Sequence, residues 1–191
     1  MLVQLVKPAL DHLPSYLAAL QSGWSPDNVR AARAQEEIAE IERDDQAFLD
    51  SLENLEAKGT PLKMLDGSTR QRLPGYRRWM WDGAFSGSIG FRWQPRTSAL
   101  PEHVLGHVGY AVVPWKRGRG YASRALMLLL PEIRERGLVY IEITANPDNI
   151  ASQRVVLNCG GKLIERTFKP DYHGGGETLR YRIDLVGPPG P

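Results

Sequence analysis

The chain has 191 residues and a net charge of +2, with 42% hydrophobic and 24% charged side chains. Such a composition is that of an ordinary globular domain and excludes wholesale disorder, a collagen-like repeat and a disulfide scaffold, since Cys159 is the single cysteine. No apolar run approaches the roughly 18 residues needed to cross a bilayer, and no secretory leader pattern opens the chain. The expectation is one domain over 1–186 in the reducing cytoplasm, off the membrane, followed by a disordered tail over 187–191.

In chain order, LVQLVK predicts a short strand and PALDHLPSYLAAL a helix with Pro8 near its start. Residues 30–58 predict one long helix: Ala34, Ile38, Ile41, Phe48, Leu52 and Leu55 form an apolar stripe that only Asp45 interrupts, and Gly59 and Pro61 end it. The same stretch concentrates acid, with nine acidic against three basic side chains over 33–58. The rest of the chain is therefore basic, which suits an anionic ligand. If the acidic helix borders an acceptor mouth, it favours a cationic acceptor. Residues 59–75 predict a loop. YRRWMWDGAFSGSIGFRWQP predicts a hairpin turning at WDGAFSG, with Trp79, Trp81 and Trp93 as sheet packing. HVLGHVGYAVV predicts a strand, 118–136 a helix kinked by Pro131, and LVYIEIT a strand. NIASQRVVLNC predicts a helix closed by Gly160-Gly161, and GKLIERTFK and TLRYRIDLV predict two final strands. This order predicts an α+β protein with a mixed sheet and helices on its faces.

The segment that carries chemistry is VGYAVVPWKRGRGYASRALMLLL. A strand stops at Pro114, a basic loop follows, and Gly118 and Gly120 open a helix. Glycine lets the backbone approach a ligand, and the first amides of a helix lack intrahelical partners and carry the positive end of its dipole. Together they can cradle phosphate oxygens beside Lys116, Arg117 and Arg119. A P-loop is excluded because no Gly-Lys-Ser/Thr precedes the helix. A dinucleotide fingerprint is weaker, because Ser123 stands where its third glycine belongs and Pro114–Arg117 separates strand from glycines. No zinc-finger, basic-zipper or RNA-recognition signature points to nucleic acid. Four scattered histidines and one cysteine give no metal-ligand spacing.

These motifs resemble the GNAT N-acetyltransferase superfamily. Arg117-Gly118-Arg119-Gly120-Tyr121-Ala122 is similar to its coenzyme A pyrophosphate loop. Asn149 with Ser152, ahead of Gly160-Gly161, is similar to its second motif. FSGSIGFRWQ, GHVGYAVVP, NIASQRVVLNCGG and RYRIDL together resemble a predicted-acetyltransferase subgroup, from about residue 76 to 185. The resemblance implies the GNAT α+β fold, with a mixed six- or seven-stranded sheet and helices on both faces. It implies acetyl-CoA as acetyl donor and no metal. The strand ending at Val112-Val113 would part from the strand 138–144, with pantetheine in the opening on the backbone of Val112 and Val113. Pyrophosphate would sit on Arg117 to Ala122, and Asn149 and Ser152 would face the pantetheine arm. An amine acceptor, small molecule or peptide, would enter near the N-terminal helices and the 169–177 loop. The protein would be a monomer or a homodimer.

The chemistry itself requires a neutral amine, a donor for the oxyanion and a proton for the departing thiolate. Many relatives hold a Tyr seven residues after the motif asparagine and a Glu five before it; this chain has Val156 and Thr144. The acid role falls open to Tyr110, Tyr172 or Tyr181. For the base, Glu142 lies on the same strand face as Thr144 and looks toward the cleft, unless an arginine pairs with it. His107 is the other candidate, unless it is a satisfied strand histidine. His103 and His173 read as loop residues, and Cys159 as a packed helix-end residue. Transfer would be direct, in a ternary complex. The alternative is a non-catalytic acyl-CoA-binding module in which Val156 and Thr144 mark lost chemistry.

Overall fold

A computed structural model describes residues 3–27, 30–63 and 67–185. The first strand, β1 (Gln4–Val6), leads through a single 3-10 turn (Leu10–His12) into α1 (Leu13–Gln21). The helix starts later than its hydrophobic pattern predicts, with Pro14 rather than Pro8 in its first turn, where a missing N–H costs nothing. The long helix expected over 30–58 is two: α2 (Arg33–Arg43) and α3 (Asp45–Ser51). Asp44 breaks it by turning extended (φ −164°, ψ 96°), and its carboxylate accepts the Ala47 N–H at 2.9 Å. An aspartate that caps a new helix competes with continuing the old one.

After the two-residue β2 (Glu53–Asn54), the stretch expected to be loop carries a small hairpin, β3 (Leu62–Lys63) with β4 (Thr69–Arg70). The hairpin predicted at WDGAFSG is present as β5 (Gly75–Trp81) and β6 (Phe85–Arg92). Then follow β7 (Val108–Val112), α4 (Tyr121–Arg134), β8 (Tyr140–Ala145), α5 (Ile150–Asn158), β9 (Lys162–Phe168) and β10 (Glu177–Asp184). Pro131 lies inside α4, which runs through it to Arg134. The expected tail over 187–191 lies outside the described residues.

The strands form two main sheets, ordered β1-β5-β6-β7, with β2 also on β5, and β8-β10-β9. Every pairing in them is antiparallel. Taken across the gap between β7 and β8, and leaving β2 aside, they amount to seven strands, within the six or seven expected. Side-chain alternation gives each sheet two faces. Ile89, Phe91 and Val108 face one way, into a core with Leu126, Leu129 and Ile133 of α4 and Ile141, Ile143 and Val156 beyond the gap. Trp79, Phe85, Ala111 and Val113 face the other way, into a second core with α1, α2 and α3. There the Tyr16 ring stacks on Trp79, centroids 4.4 Å apart. Helices thus cover both faces, and the gap opens between two packed bodies.

Candidate active site

The basic loop has the backbone its glycines foretell. Val113 N–H closes the ladder on the Ser86 carbonyl at 3.1 Å, a 3-10 turn covers Pro114–Lys116, and Arg117 is extended. Gly118 (φ 74°) and Gly120 (φ 76°) are left-handed, the region that favours glycine, and a Cβ at either would meet only open space. Gly120 serves as the N-cap of α4 with no side-chain cap, and the first intrahelical bond runs from Arg124 N–H to the Gly120 carbonyl. The amides of Tyr121, Ala122 and Ser123 are therefore left at an open, dipole-positive end.

Sequence reasoning missed the anchor behind this loop. Asp82, in the β5–β6 turn, accepts from Lys116 Nζ at 2.6 Å, Ser86 Oγ at 3.1 Å and Tyr121 Oη at 2.6 Å. Although partial burial opposes it, these donors hold the Asp82 carboxyl well below the usual carboxylate range. Lys116 is thus tied back to the hairpin, and Arg117 and Arg119 remain at the loop surface. Arg117 Nε donates to the Val112 carbonyl at 3.2 Å. Since Val113 N–H points to β6, alternation turns the N–H and C=O of Val112 toward the gap.

The gap has a defined closed end. His107 N–H donates to the Glu142 carbonyl at 2.8 Å, and Glu142 N–H donates to His107 Nδ1 at 2.9 Å. Gly106 permits the approach, for a Cβ there would come within 3.1 Å of the Glu142 carbonyl. Beyond this seam β7 and β8 exchange no backbone hydrogen bond among the described residues. Further along, Tyr110 Oη reaches from β7 to α5, 2.8 Å from Ser152 Oγ and 3.1 Å from the Ser152 carbonyl. Asn149 caps α5, its Oδ1 accepting Ser152 N–H at 3.0 Å.

Both residues expected as bases have partners in the structure. Glu142 is 8% exposed and its two oxygens accept from Arg182 at 2.7 Å and Arg180 at 3.5 Å. It is the ion-paired carboxylate of the alternative reading, clamped from β10, and Arg182 in turn lies over the Tyr140 ring at 3.9 Å. His107 is fully buried with Nδ1 used by Glu142 N–H, and burial pushes its pKa down to about 4. It lies one residue before β7, is neutral at physiological pH and fastens the seam through Nδ1, while its Nε2 has no hydrogen-bond partner among the described residues. The vacancy at Val156 also has a physical reason. Val156 is wholly buried against Gly161, where a Cβ would come within 2.4 Å of it, so this position belongs to the core. Of the three tyrosines left open, Tyr181 is buried and reaches Gln153, and Tyr172 packs on His173. Tyr110 alone of the three spans from β7 to α5. Ser152 and Val156 are one helical turn apart, so its hydroxyl lies along the helix face that also carries residue 156. Burial pushes the Tyr110 hydroxyl up to about 12. Cys159 is half-buried, donates to the Ser123 carbonyl and has its thiol pushed up by burial, a packed residue as expected.

On the opposite face, α2 and α3 stand over β5, β6 and β7 and enclose an open cleft of about 950 Å³ that reaches Gly109 and Tyr110. The acids of α2 do not present a free negative wall. Glu37 is fully buried and accepts from Arg33 at 3.0 Å, Arg77 at 3.1 Å and the Tyr16 hydroxyl, and Glu36 and Glu40 also hold Arg33. Three of the nine acids expected to draw a cationic acceptor are thus engaged by arginines of the same protein. No described helix is long and apolar enough to cross a membrane, and no group of three metal-ligating side chains occurs among the described residues.

A sheet split at its centre, a left-handed glycine opening a helix beside the split and a cleft on the far face define an acyl-CoA-type transferase architecture. Comparison with known proteins agrees. The family model described as "Acetyltransferase (GNAT) domain" matches residues 3–162, and the chain belongs to that family, whose acetyl donor is acetyl-CoA. Among solved structures, it is similar to the microcin C7 self-immunity acetyltransferase MccE in complex with acetyl-CoA and AMP. That pair shares 14% identity over 95% of this chain and 92% of that one, with a TM-score of 0.61. It is similar to RimL, a ribosomal L7/L12 α-N-protein acetyltransferase in complex with coenzyme A, at 14% identity over 95% and 93% and a TM-score of 0.60. It is also similar to an N-acetyltransferase from Staphylococcus aureus Mu50, at 15% identity over 97% and 100% and a TM-score of 0.56. No curated protein matches.

Proposed function

We propose that this protein transfers the acetyl group of acetyl-CoA to an amine, directly and within a ternary complex. The observation that carries the reading is the gap itself, closed at the His107–Glu142 seam and flanked by unpartnered α4 amides. Two needs of the donor are met there, a cradle for its anionic pyrophosphate and hydrogen-bond partners for its neutral arm. The amides of Tyr121, Ala122 and Ser123, with Arg117 and Arg119, hold the pyrophosphate, and the free edge of Val112 and the Asn149–Ser152 turn receive the pantetheine arm. When bound, acetyl-CoA supplies a thioester whose carbonyl carbon accepts the amine as its C–S bond breaks. The amine enters from the cleft under α2 and α3, on the face away from α4.

Tyr110 supplies the proton that the departing thiolate needs. Its hydroxyl stays protonated at working pH because burial raises it, and Ser152 Oγ orients it. The proton shed by the acylated amine leaves through the open cleft to solvent, and Tyr110 takes a proton back from solvent once the thiol has departed. The similar structures named for amine acetylation support an amine as acceptor.

Thiol release from acetyl-CoA, measured with an amine panel and followed by mass spectrometry of the amide product, tests the reading. Amine-dependent release with an acetamide product is expected. Tight acetyl-CoA binding without release from any amine would make the protein an acyl-CoA-binding module instead.

A further inference from the structure

The floor of the acceptor cleft is bare in a way that the fold does not require. Gly90 of β6 and Gly109 of β7 stand opposite each other in the ladder, and Arg77 of β5 stands opposite Gly90. These three share one face, with Arg92 two residues beyond Gly90 on the same side. Neither glycine has a left-handed φ. A Cβ on Gly90 would meet nothing nearer than the Tyr76 carbonyl at 3.7 Å, and one on Gly109 nothing nearer than Arg92 Nη2 at 3.7 Å. Backbone strain and crowding both fail to explain two glycines here, and what remains is the space above them.

That space ends on an unusual cation. Arg77 is paired with buried Glu37, which it shares with Arg33. Arg92 has no carboxylate partner among the described residues, and Gly75, opposite it on β5, has no side chain to cover it. The Arg92 side chain is exposed and lines the cleft. Desolvation there, with the like charge of Arg77, lowers its affinity for its proton. A guanidinium in this position is a bidentate site for a planar or tetrahedral anion.

We propose that the acceptor is an amine bearing a second, anionic group, a carboxylate or a phosphate, which Arg92 binds above the Gly90–Gly109 floor while the amine extends along β7 toward Tyr110. This rests on the amine-acetylation reading and adds the substrate class to it. The acidic look of residues 33–58 points the opposite way, but Glu36, Glu37 and Glu40, the acids held by Arg33 and Arg77, are offset there.

Three small amines of similar length separate the cases: O-phosphoethanolamine, β-alanine and ethanolamine. Their binding to the full chain, saturated with coenzyme A, is followed by titration calorimetry or ligand-observed NMR. One or both anionic probes should bind at least about tenfold tighter than ethanolamine, as for a charge-assisted bidentate contact. The stronger of the two identifies phosphate or carboxylate as the group. Arg92→Gln should reduce the preference to within about threefold, Arg92→Lys should keep part of it, and Gly109→Val should abolish it by filling the floor. Thermal melting of each variant with and without acetyl-CoA reports folding and donor binding separately. Equal binding of all three probes, tighter binding of 1,3-diaminopropane, or a preference that survives Arg92→Gln in a folded variant overturns the proposal. If anionic probes bind through Arg92 but no amine is acetylated, the anion site stands and the transferase reading fails. If amines are acetylated without regard to charge, the transferase reading stands and the anion site fails.

Discussion

The two ends of the β7 strand are built on different principles. Its C-terminal end, the 117–122 loop, is a backbone device: two left-handed glycines, an uncapped helix start, and Asp82 bracing it from behind. Its N-terminal end, around His107 and the facing Glu142, is a side-chain device, in which each titratable group is consumed by a partner brought from another strand. A site made of amides needs residues that do little beyond shaping the chain. A site made of acids and bases depends on which side chains remain unpaired, and pairing is decided by sheet register.

The comparison is broken most forcefully at the loop. Gly120→Glu sets a carboxylate at the open end of α4 and forces a side chain onto φ 76°, which costs about 1 kcal/mol or more. Acetyl-CoA affinity should fall at least a hundredfold by calorimetry while the circular dichroism spectrum stays that of a folded α+β protein. Unchanged thermal stabilisation by acetyl-CoA would reject the loop. Next in size is Tyr110→Phe, which keeps the ring and removes the proton. Turnover should fall about 10²-fold, within the range for loss of a general acid, with acetyl-CoA affinity held within about threefold. The deficit should shrink for an acetyl thioester with a more acidic thiol, a rescue that a purely structural role for the ring would not produce.

At the seam the effects move from rate to stability. His107 titrates at about 4 when folded and near 6.5 when unfolded, so the unfolded chain binds more protons between these values. Its contribution is complete above about pH 6.5 and is lost as pH falls toward 4, at up to about 1.4 kcal/mol per pH unit. Urea midpoints across that window should show the slope, and His107→Gln, whose amide oxygen can still accept Glu142 N–H, should flatten it. Smallest is Glu142→Gln. With the carboxylate paired to Arg180 and Arg182, turnover at pH 7 should stay within about threefold, with a stability loss of about 1 kcal/mol, modest because both arginines are about a third exposed. A drop of a hundredfold, largest at low pH, would return Glu142 to the role of base.

What the sequence made legible follows the same division. From Gly75 onward the order of strands and helices, the WDGAFSG turn and the glycine-opened helix are local, encoded in periodicity, turn residues and φ preference, and they follow the order read from the residues alone. The break at Asp44 was hidden because an apolar stripe continues across it while one carboxylate starts a new helix. The pairing of Glu142 with Arg182, forty residues on, and the meeting of Gly90 with Gly109 are consequences of strand register, which no local pattern carries. Asp82 was missed for the same reason: its partner Lys116 is 34 residues away, although the hairpin turn that contains Asp82 was itself readable.

The central claim, that acetyl-CoA is held by backbone groups along β7 and the start of α4, is tested most directly by an amide-resolved NMR titration of the full chain with coenzyme A. The account predicts that the amides of Val112 and of residues 118–123 shift together and saturate at one dissociation constant, with the Asn149–Ser152 turn following. Perturbation confined to the cleft under α2 and α3, with residues 118–123 unmoved, would contradict it.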